Sequence, residues 1–409
     1  MTMIDRRAAL RGLAAGLALP VLPLAVRAQE PPRDVTLAQD FDEMWETLRD
    51  RYCFFGEKAT DWDKVRRVYR PRAIAAPSWN DFAHVLRAAL GELYDPHTSV
   101  RSGPNGIPRM PPFDLLVERS ADGLRVTNVA PDSGASAAGL AIGDVVTAVD
   151  GVPVSDAIKA AALTCLARPD PAADRFAINA VVAGKRAMAR QFAVAGKGEV
   201  AVPIPQRAEP ATIAHRRLEG GIGMIAIRSF GDYAATAAFD AALAELRDAP
   251  ALIIDVRGNG GGDTAVARPI MGRFITTRAP YALMRRRAGR GLSAPWTEWV
   301  EPRGPFTYDR PVVVLCDRWS ASMAEGFPMG MRGLGRARIV GTPMMQLGAA
   351  VFPLRLNRTG FDLQYSAEPV YDVQDRPRWQ LEPGVLVPDG ADILAAGLAE
   401  ARRMVTARG

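Results

Sequence analysis

Leu252-Ile253-Ile254-Asp255-Val256-Arg257-Gly258-Asn259-Gly260-Gly261-Gly262 is the most informative run of this chain. A short apolar run stopped by glycines reads as a buried strand running into a tight turn. Glycines without Cβ let backbone N–H groups approach a ligand closely. Further on, Val312 to Leu315 leads to Trp319-Ser320-Ala321-Ser322-Met323-Ala324-Glu325, a second buried strand ending in small residues and a hydroxyl at the start of a helix. One turn offers N–H donors for an oxyanion and the other a nucleophile.

The pair resembles the core of the C-terminal processing peptidases and tricorn-type proteases, the S41-type tail-specific serine peptidases. In these, an IDxRxNxGG strand end and an SASxxE helix start lie side by side. The resemblance implies Ser322 as the attacking serine, because Ser322-Met323-Ala324-Glu325 fills the frame, while Ser320 faces the other side. It implies oxyanion donors at the backbone N–H of Gly260 or Gly261 and of Met323. The bland alternative is that Ser322 is an ordinary helix N-cap. Glu325 is read as a brace for the nucleophile helix, and Asp255 and Arg257 as braces for the glycine turn.

The general base departs from the Ser-Lys branch of the family, whose lysine lies in a VGxxTxGKG segment. Here the segment reads Val340-Gly341-Thr342-Pro343-Met344-Met345-Gln346-Leu347-Gly348, with Leu347 at the lysine position and no lysine after Lys197. The tricorn-type branch implies a histidine and a glutamate instead. His97 in Asp95-Pro96-His97-Thr98 matches the first and Glu382 in Leu381-Glu382-Pro383-Gly384-Val385 the second. A neutral imidazole would take the Ser322 proton and a carboxylate would orient the ring. The competing reading of His97 is a turn histidine bonded to backbone; His84 and His215 read as structural or exposed.

Between Met110 and Val200 the period shortens to strands with glycine turns. Ser133 to Leu140 and Ile142 to Gly151 fill an SxAxxAGLxxGDxxxxVDG frame, which resembles a PDZ domain. Such domains capture a peptide's C-terminal tail by strand addition at a sheet edge. The resemblance places Phe113, Leu115 and Leu116 at the peptide-binding loop, although the usual glycines are absent; a PDZ serving only as a spacer is the alternative.

From Leu37 to Leu93 apolar residues recur at helical spacing, and beyond Gly220 strands and helices alternate, with both key turns at strand carboxyl ends. The expectation is a mixed α/β chain. It comprises an N-terminal helical cap (29–109), a PDZ β-domain (110–200) and, as the resemblance implies, a βα core of the ClpP/crotonase-like type (201–409).

Composition excludes disorder: 48% of residues are hydrophobic and 23% charged. The net charge of +6 comes from 46 arginines and five lysines without a basic cluster, so no nucleic-acid partner is expected. Three histidines and the spacing of Cys53, Cys165 and Cys316 argue against a metal site. For the cysteines, one disulfide and three buried thiols are equally consistent readings. No cofactor is expected, and the oligomeric state is not legible. At the N-terminus, Asp5-Arg6-Arg7, an apolar stretch from Leu13 to Val26 and Val26-Arg27-Ala28 read as a twin-arginine-like signal peptide cut after Ala28 (1–28). No other stretch is long and apolar enough for a membrane span.

The sequence therefore points to an exported bacterial serine endopeptidase, periplasmic or secreted, that takes polypeptide through its PDZ domain. The alternative is a catalytically silent peptide-binding scaffold of the same fold. An acyl hydrolase of small esters has less support, since no G-x-S-x-G elbow is present.

Overall fold

Val312–Cys316 and Leu252–Asp255 are wholly buried and, up to their last residues, β-branched or aliphatic, which suits strands covered on both faces. The computed structural model describes residues 33–204 and 211–407, so the expected export signal at 1–28 lies outside the described residues. The two strands pair in parallel at the centre of a six-stranded sheet. Its order is Val385–Leu386, Arg338–Gly341, Val312–Cys316, Leu252–Asp255, Gly223–Ile227, Ile213–Arg217. The last pair is antiparallel and the others parallel.

Alternation along the strands fills two cores. Ile225, Leu252, Ile254, Val312 and Val314 face Phe239, Ile270 and Phe327 of the helices Ala235–Glu245, Thr264–Met271 and Met323–Gly333. Met224, Ile253, Val313 and Leu315 face Ala401 of Ile393–Thr406. Each fully buried aliphatic side chain contributes roughly 1.5–3 kcal/mol, so these layers fix where the strand ends fall.

A second sheet joins Asp362–Tyr371 to Ala349–Arg355, Ala279–Met284 and Ser99–Val100, and Ala279–Met284 pairs onward with Trp296–Val300. Its outer face is covered by Arg33–Arg51, Trp62–Ile74 and Trp79–Gly91, whose Leu37, Phe41, Phe82 and Leu86 pack with Leu356, Leu363 and Tyr365. The N-terminal helices are therefore part of the wall that carries the His97 turn.

The PDZ sheet runs Leu115–Ser120, Gly123–Val129, Val145–Val149, Arg190–Val194, Gly198–Val202, with Leu115–Ser120 at the edge. Trp319 joins this domain to the core, its indole N–H donating to Asn128 Oδ1 at 2.8 Å. The three cysteines are free and buried. Among the described residues no helix is long and apolar enough to cross a membrane, and no His/Cys/Asp/Glu cluster could hold a metal ion.

Candidate active site

The glycine turn is braced from below. Arg257 grips Asp255 with Nε and Nη2 at 2.8 and 2.9 Å, and Arg228 adds a third contact at 3.1 Å. Burial raises the proton affinity of Asp255, but these hydrogen bonds and charges prevail and hold it below its ordinary value. Asn259, fully buried, links both turns: Nδ2 donates to Ile227 O, Oδ1 accepts the Gly261 amide at 2.7 Å, and its carbonyl accepts the Ala321 amide. Asp317 accepts the amides of Gly258 and Trp319.

Ser320, fully buried, donates to Val256 O at 2.8 Å and accepts the Asp317 amide, so its hydroxyl braces the strand ends. Ser322 differs. It is partly exposed, with φ 55° and ψ −113°. An ordinary N-cap is extended, and a non-glycine residue held in this region is strained, as nucleophile turns are.

Gly261 makes that turn possible. At φ 100°, a Cβ there would lie 2.7 Å from Ala321 O and 2.8 Å from Ser322 Cβ. Only glycine allows the two turns to touch. The expected role of the Gly261 amide is corrected, however, since it is engaged by Asn259. Among the described residues the amides of Gly260 and Met323 make no hydrogen bond, which leaves them open to a ligand.

Glu325 is fully buried, and its Oε1 accepts the amides of Ser322 at 3.1 Å and Leu347 at 2.9 Å. Burial pushes its carboxyl up to about 7, against the lowering effect of Arg378 and the two amides. Arg378, absent from the sequence reading, donates through Nε and Nη2 to Leu347 O at 3.0 and 2.5 Å and through Nη2 to Ala349 O at 3.1 Å.

Asp95 accepts the His97 amide and the hydroxyls of Thr98 and Ser366, which fastens the histidine turn to Asp362–Tyr371. The imidazole is buried beside the Ala349 carbonyl and Arg378, and its Nδ1 has no partner. Burial and the Arg378 charge lower its pKa to about 4, although Asp95 and Ala349 pull the other way. The ring is therefore neutral near pH 7.

Glu382 does not join this group. It is exposed and its carboxylate has no hydrogen-bond partner among the described residues; only its carbonyl is used, by Arg332. The expected link to His97 is corrected, and the reason is alternation: Leu381 and Pro383 point inward in an extended segment, so Glu382 falls on the solvent side. His84 is exposed, and His215 pairs with Glu245 at the surface.

In the PDZ domain Leu115 is 1% exposed and belongs to the hydrophobic core, because Leu115 and Val117 point inward; its expected peptide contact is corrected. Leu116 is half-buried, and Phe113 is covered by the guanidinium of Arg109, 4.1 Å from its ring centre. The neighbouring Asp114 is buried with Arg190. Asn179 of the helix Pro171–Ala183 lies along the sheet edge: Oδ1 accepts the Val117 amide at 3.0 Å and Nδ2 donates to Val117 O at 3.3 Å.

The comparisons with known proteins agree with this architecture. Peptidase family S41 matches residues 221–387, the tricorn protease C1 domain residues 34–91 and a PDZ domain residues 125–165. The S41 match is confined to the βα core, which carries both the glycine turn and the Ser322 turn. The carboxy-terminal processing protease CtpB of Bacillus subtilis is 30% identical over 138 residues, 32% of this chain and 27% of that protein. A tricorn protease homolog of Streptomyces coelicolor is 30% identical over 283 residues, 62% of this chain and 23% of that protein. The chain thus spans about a quarter of the length of the curated relatives it matches. Mature CPAF superimposes with a TM-score of 0.63 at 17% identity, covering 92% of this chain and 98% of that one. The photosystem II D1 C-terminal processing protease gives 0.54 at 18% identity, covering 90% and 97%. These two likenesses concern the fold.

Proposed function

We propose that the chain is an exported serine endopeptidase that cleaves polypeptide through an acyl-enzyme on Ser322. The observation that carries this is the strained Ser322 turn, pressed on Gly261, with the amides of Gly260 and Met323 left for an oxyanion. His97 is the base. It is neutral near pH 7, and its unpartnered Nδ1 offers the lone pair that the serine proton needs.

Substrate binding would bring the Ser322 hydroxyl within roughly 2.6–3.2 Å of that nitrogen. Attack on the scissile carbonyl then moves the proton to His97, and collapse returns it to the leaving amine. Water repeats the cycle on the acyl-enzyme. The PDZ domain presents the substrate's tail. Asn179 on Val117 and the exposed position of Glu382, the carboxylate expected to orient His97, favour a second reading, the silent peptide-binding scaffold.

A fluorophosphonate probe separates the two. Wild-type protein is expected to be labelled, while Ser322→Ala loses all labelling and peptidase turnover and melts at nearly the same temperature. An unlabelled wild type establishes the scaffold. Export is tested by replacing Arg6 and Arg7 with lysine, which is expected to stop secretion by the twin-arginine route. Continued processing at Ala28 indicates the general route, and a cytoplasmic native protein with an intact N-terminus refutes export.

A further inference from the structure

Arg378 is a buried cation that no sequence motif announces. Among the described residues no carboxylate lies within ion-pair distance of its guanidinium, which is held instead by the carbonyls of Leu347 and Ala349. Burying a charge without a paired ion is unfavourable, so the arrangement does not recommend itself as a stabilising device. Its location is informative. Leu347 occupies the position where the Ser-Lys branch carries its lysine, and the leucine side chain is buried and apolar.

The two faces of the Leu347 residue are held from opposite directions. Its amide goes to Glu325 Oε1, which also holds the Ser322 amide, and its carbonyl goes to Arg378. The same guanidinium continues to Ala349 O, the carbonyl beside the His97 ring. A continuous chain of contacts runs from the nucleophile turn through Glu325, Leu347, Arg378 and Ala349 to the histidine.

We infer that Arg378 is a positioning residue: its planar fork holds the Leu347 and Ala349 carbonyls together and so sets the spacing of His97 from the Ser322 turn. This rests on the reading of Ser322 and His97 as the reacting pair. A fork can grip two carbonyls at once with fixed geometry, which a lysine ammonium cannot reproduce. Misplacement of a reacting group by about 1 Å costs on the order of 100-fold in rate. The guanidinium also places a fixed positive charge beside the imidazole. The other ionisable groups facing the ring's surroundings are Asp95 on its own turn, with Tyr52 and Cys53 beyond it, and Glu325 across Arg378.

Two substitutions separate geometry from charge. Arg378→Lys keeps the charge and loses the fork; it is expected to lower kcat by about 10- to 100-fold with KM nearly unchanged and the acid limb of the pH profile unmoved. Arg378→Met loses both, and is expected to lower kcat further and move the acid limb toward higher pH. NMR titration of the three histidines supplies a readout independent of activity: the His97 midpoint should rise by roughly half a unit or more in Arg378→Met and stay in place in Arg378→Lys. Wild-type kcat in a folded Arg378→Lys overturns the proposal. An unmoved His97 midpoint in Arg378→Met overturns the placement of the charge beside the ring. A wild type that never labels Ser322 removes the peptidase reading and this role with it, whereas the titration still reports whether Arg378 faces His97.

Discussion

The peptidase core and the PDZ domain each present backbone groups at the place where their motifs promise binding, but they treat them in opposite ways. In the core, Asn259, Asp317 and Ser320 take up the surrounding polar groups, and the amides of Gly260 and Met323 are left over. In the PDZ domain the outward amide and carbonyl of Val117 are both taken by the carboxamide of Asn179. One site is pre-organised by braces that stop short of it, and the other is occupied by a side chain of its own domain. A buried or half-buried backbone group needs a partner. A domain that closes its edge with its own side chain makes an incoming strand compete for it.

The largest expected effect tests the core. His97→Ala is predicted to lower kcat by about 10²–10⁴, the usual worth of general acid–base catalysis, with much less change in KM. Stopped assays from pH 3.5 to 8 should show wild-type activity rising through about pH 4, where His97 loses its proton, and this limb should vanish in the variant. An unchanged kcat in the variant moves the base elsewhere.

The next prediction concerns stability, where His97 and Glu325 oppose each other. His97 has a folded pKa of about 4 against an ordinary 6.5, so its contribution is present above pH 6.5 and is lost as pH falls through 4. Glu325 has a folded pKa of about 7 against 4.5, so its contribution is present below pH 4.5 and is lost as pH rises through 7. Each slope is on the order of 3 kcal/mol, and between pH 4.5 and 6.5 the two offset each other. Urea unfolding of Glu325→Gln should reveal the His97 slope alone, with stability falling as pH is lowered below 6.5. The variant His97→Gln should reveal the Glu325 slope alone, with stability falling from pH 4.5 to 7. Parallel curves for both variants and wild type would show that neither group is buried in the charge state assigned here.

The smallest effect tests the PDZ edge. Asn179→Ala frees both backbone groups of Val117 and is predicted to raise the affinity for a fluorescent peptide with an apolar free C-terminus by several-fold, about one hydrogen bond's worth of competition. Fluorescence anisotropy reads this directly, and hydrogen exchange at the Val117 amide should be faster in the variant without peptide. Weaker binding in the variant would make Asn179 part of the peptide site instead of a competitor for it.

Much of this was legible in the sequence because it rests on local pattern. Continuous apolar runs such as Val312–Cys316 announce strands covered on both faces, and glycines at the end of one such strand announce a close approach. Ser320 facing away from Ser322 followed from the same local alternation. The corrections all turn on which groups the packed fold buries or engages, which a motif match does not reveal. Gly261 lost its donor role to Asn259 two residues earlier, whose own orientation is fixed by Ile227. Glu382 matched a motif position, yet the inward packing of Leu381 and Pro383 turned it to solvent. Leu115 matched the peptide loop but belongs to the core.

The order of the parts, the expectation of Ser322 over Ser320 and the absence of a lysine at the usual position could be read along the chain. Packing settles the strain at Ser322, which backbone groups stay free, that the histidine turn is carried on the sheet covered by the N-terminal helices, and that Arg378 joins it to the nucleophile turn. Periodicity and turn chemistry act over a few residues and so can be read along the chain. Hydrogen-bond satisfaction and buried charge depend on residues brought together from positions as distant as 97, 325 and 378, and are settled only when the layers pack.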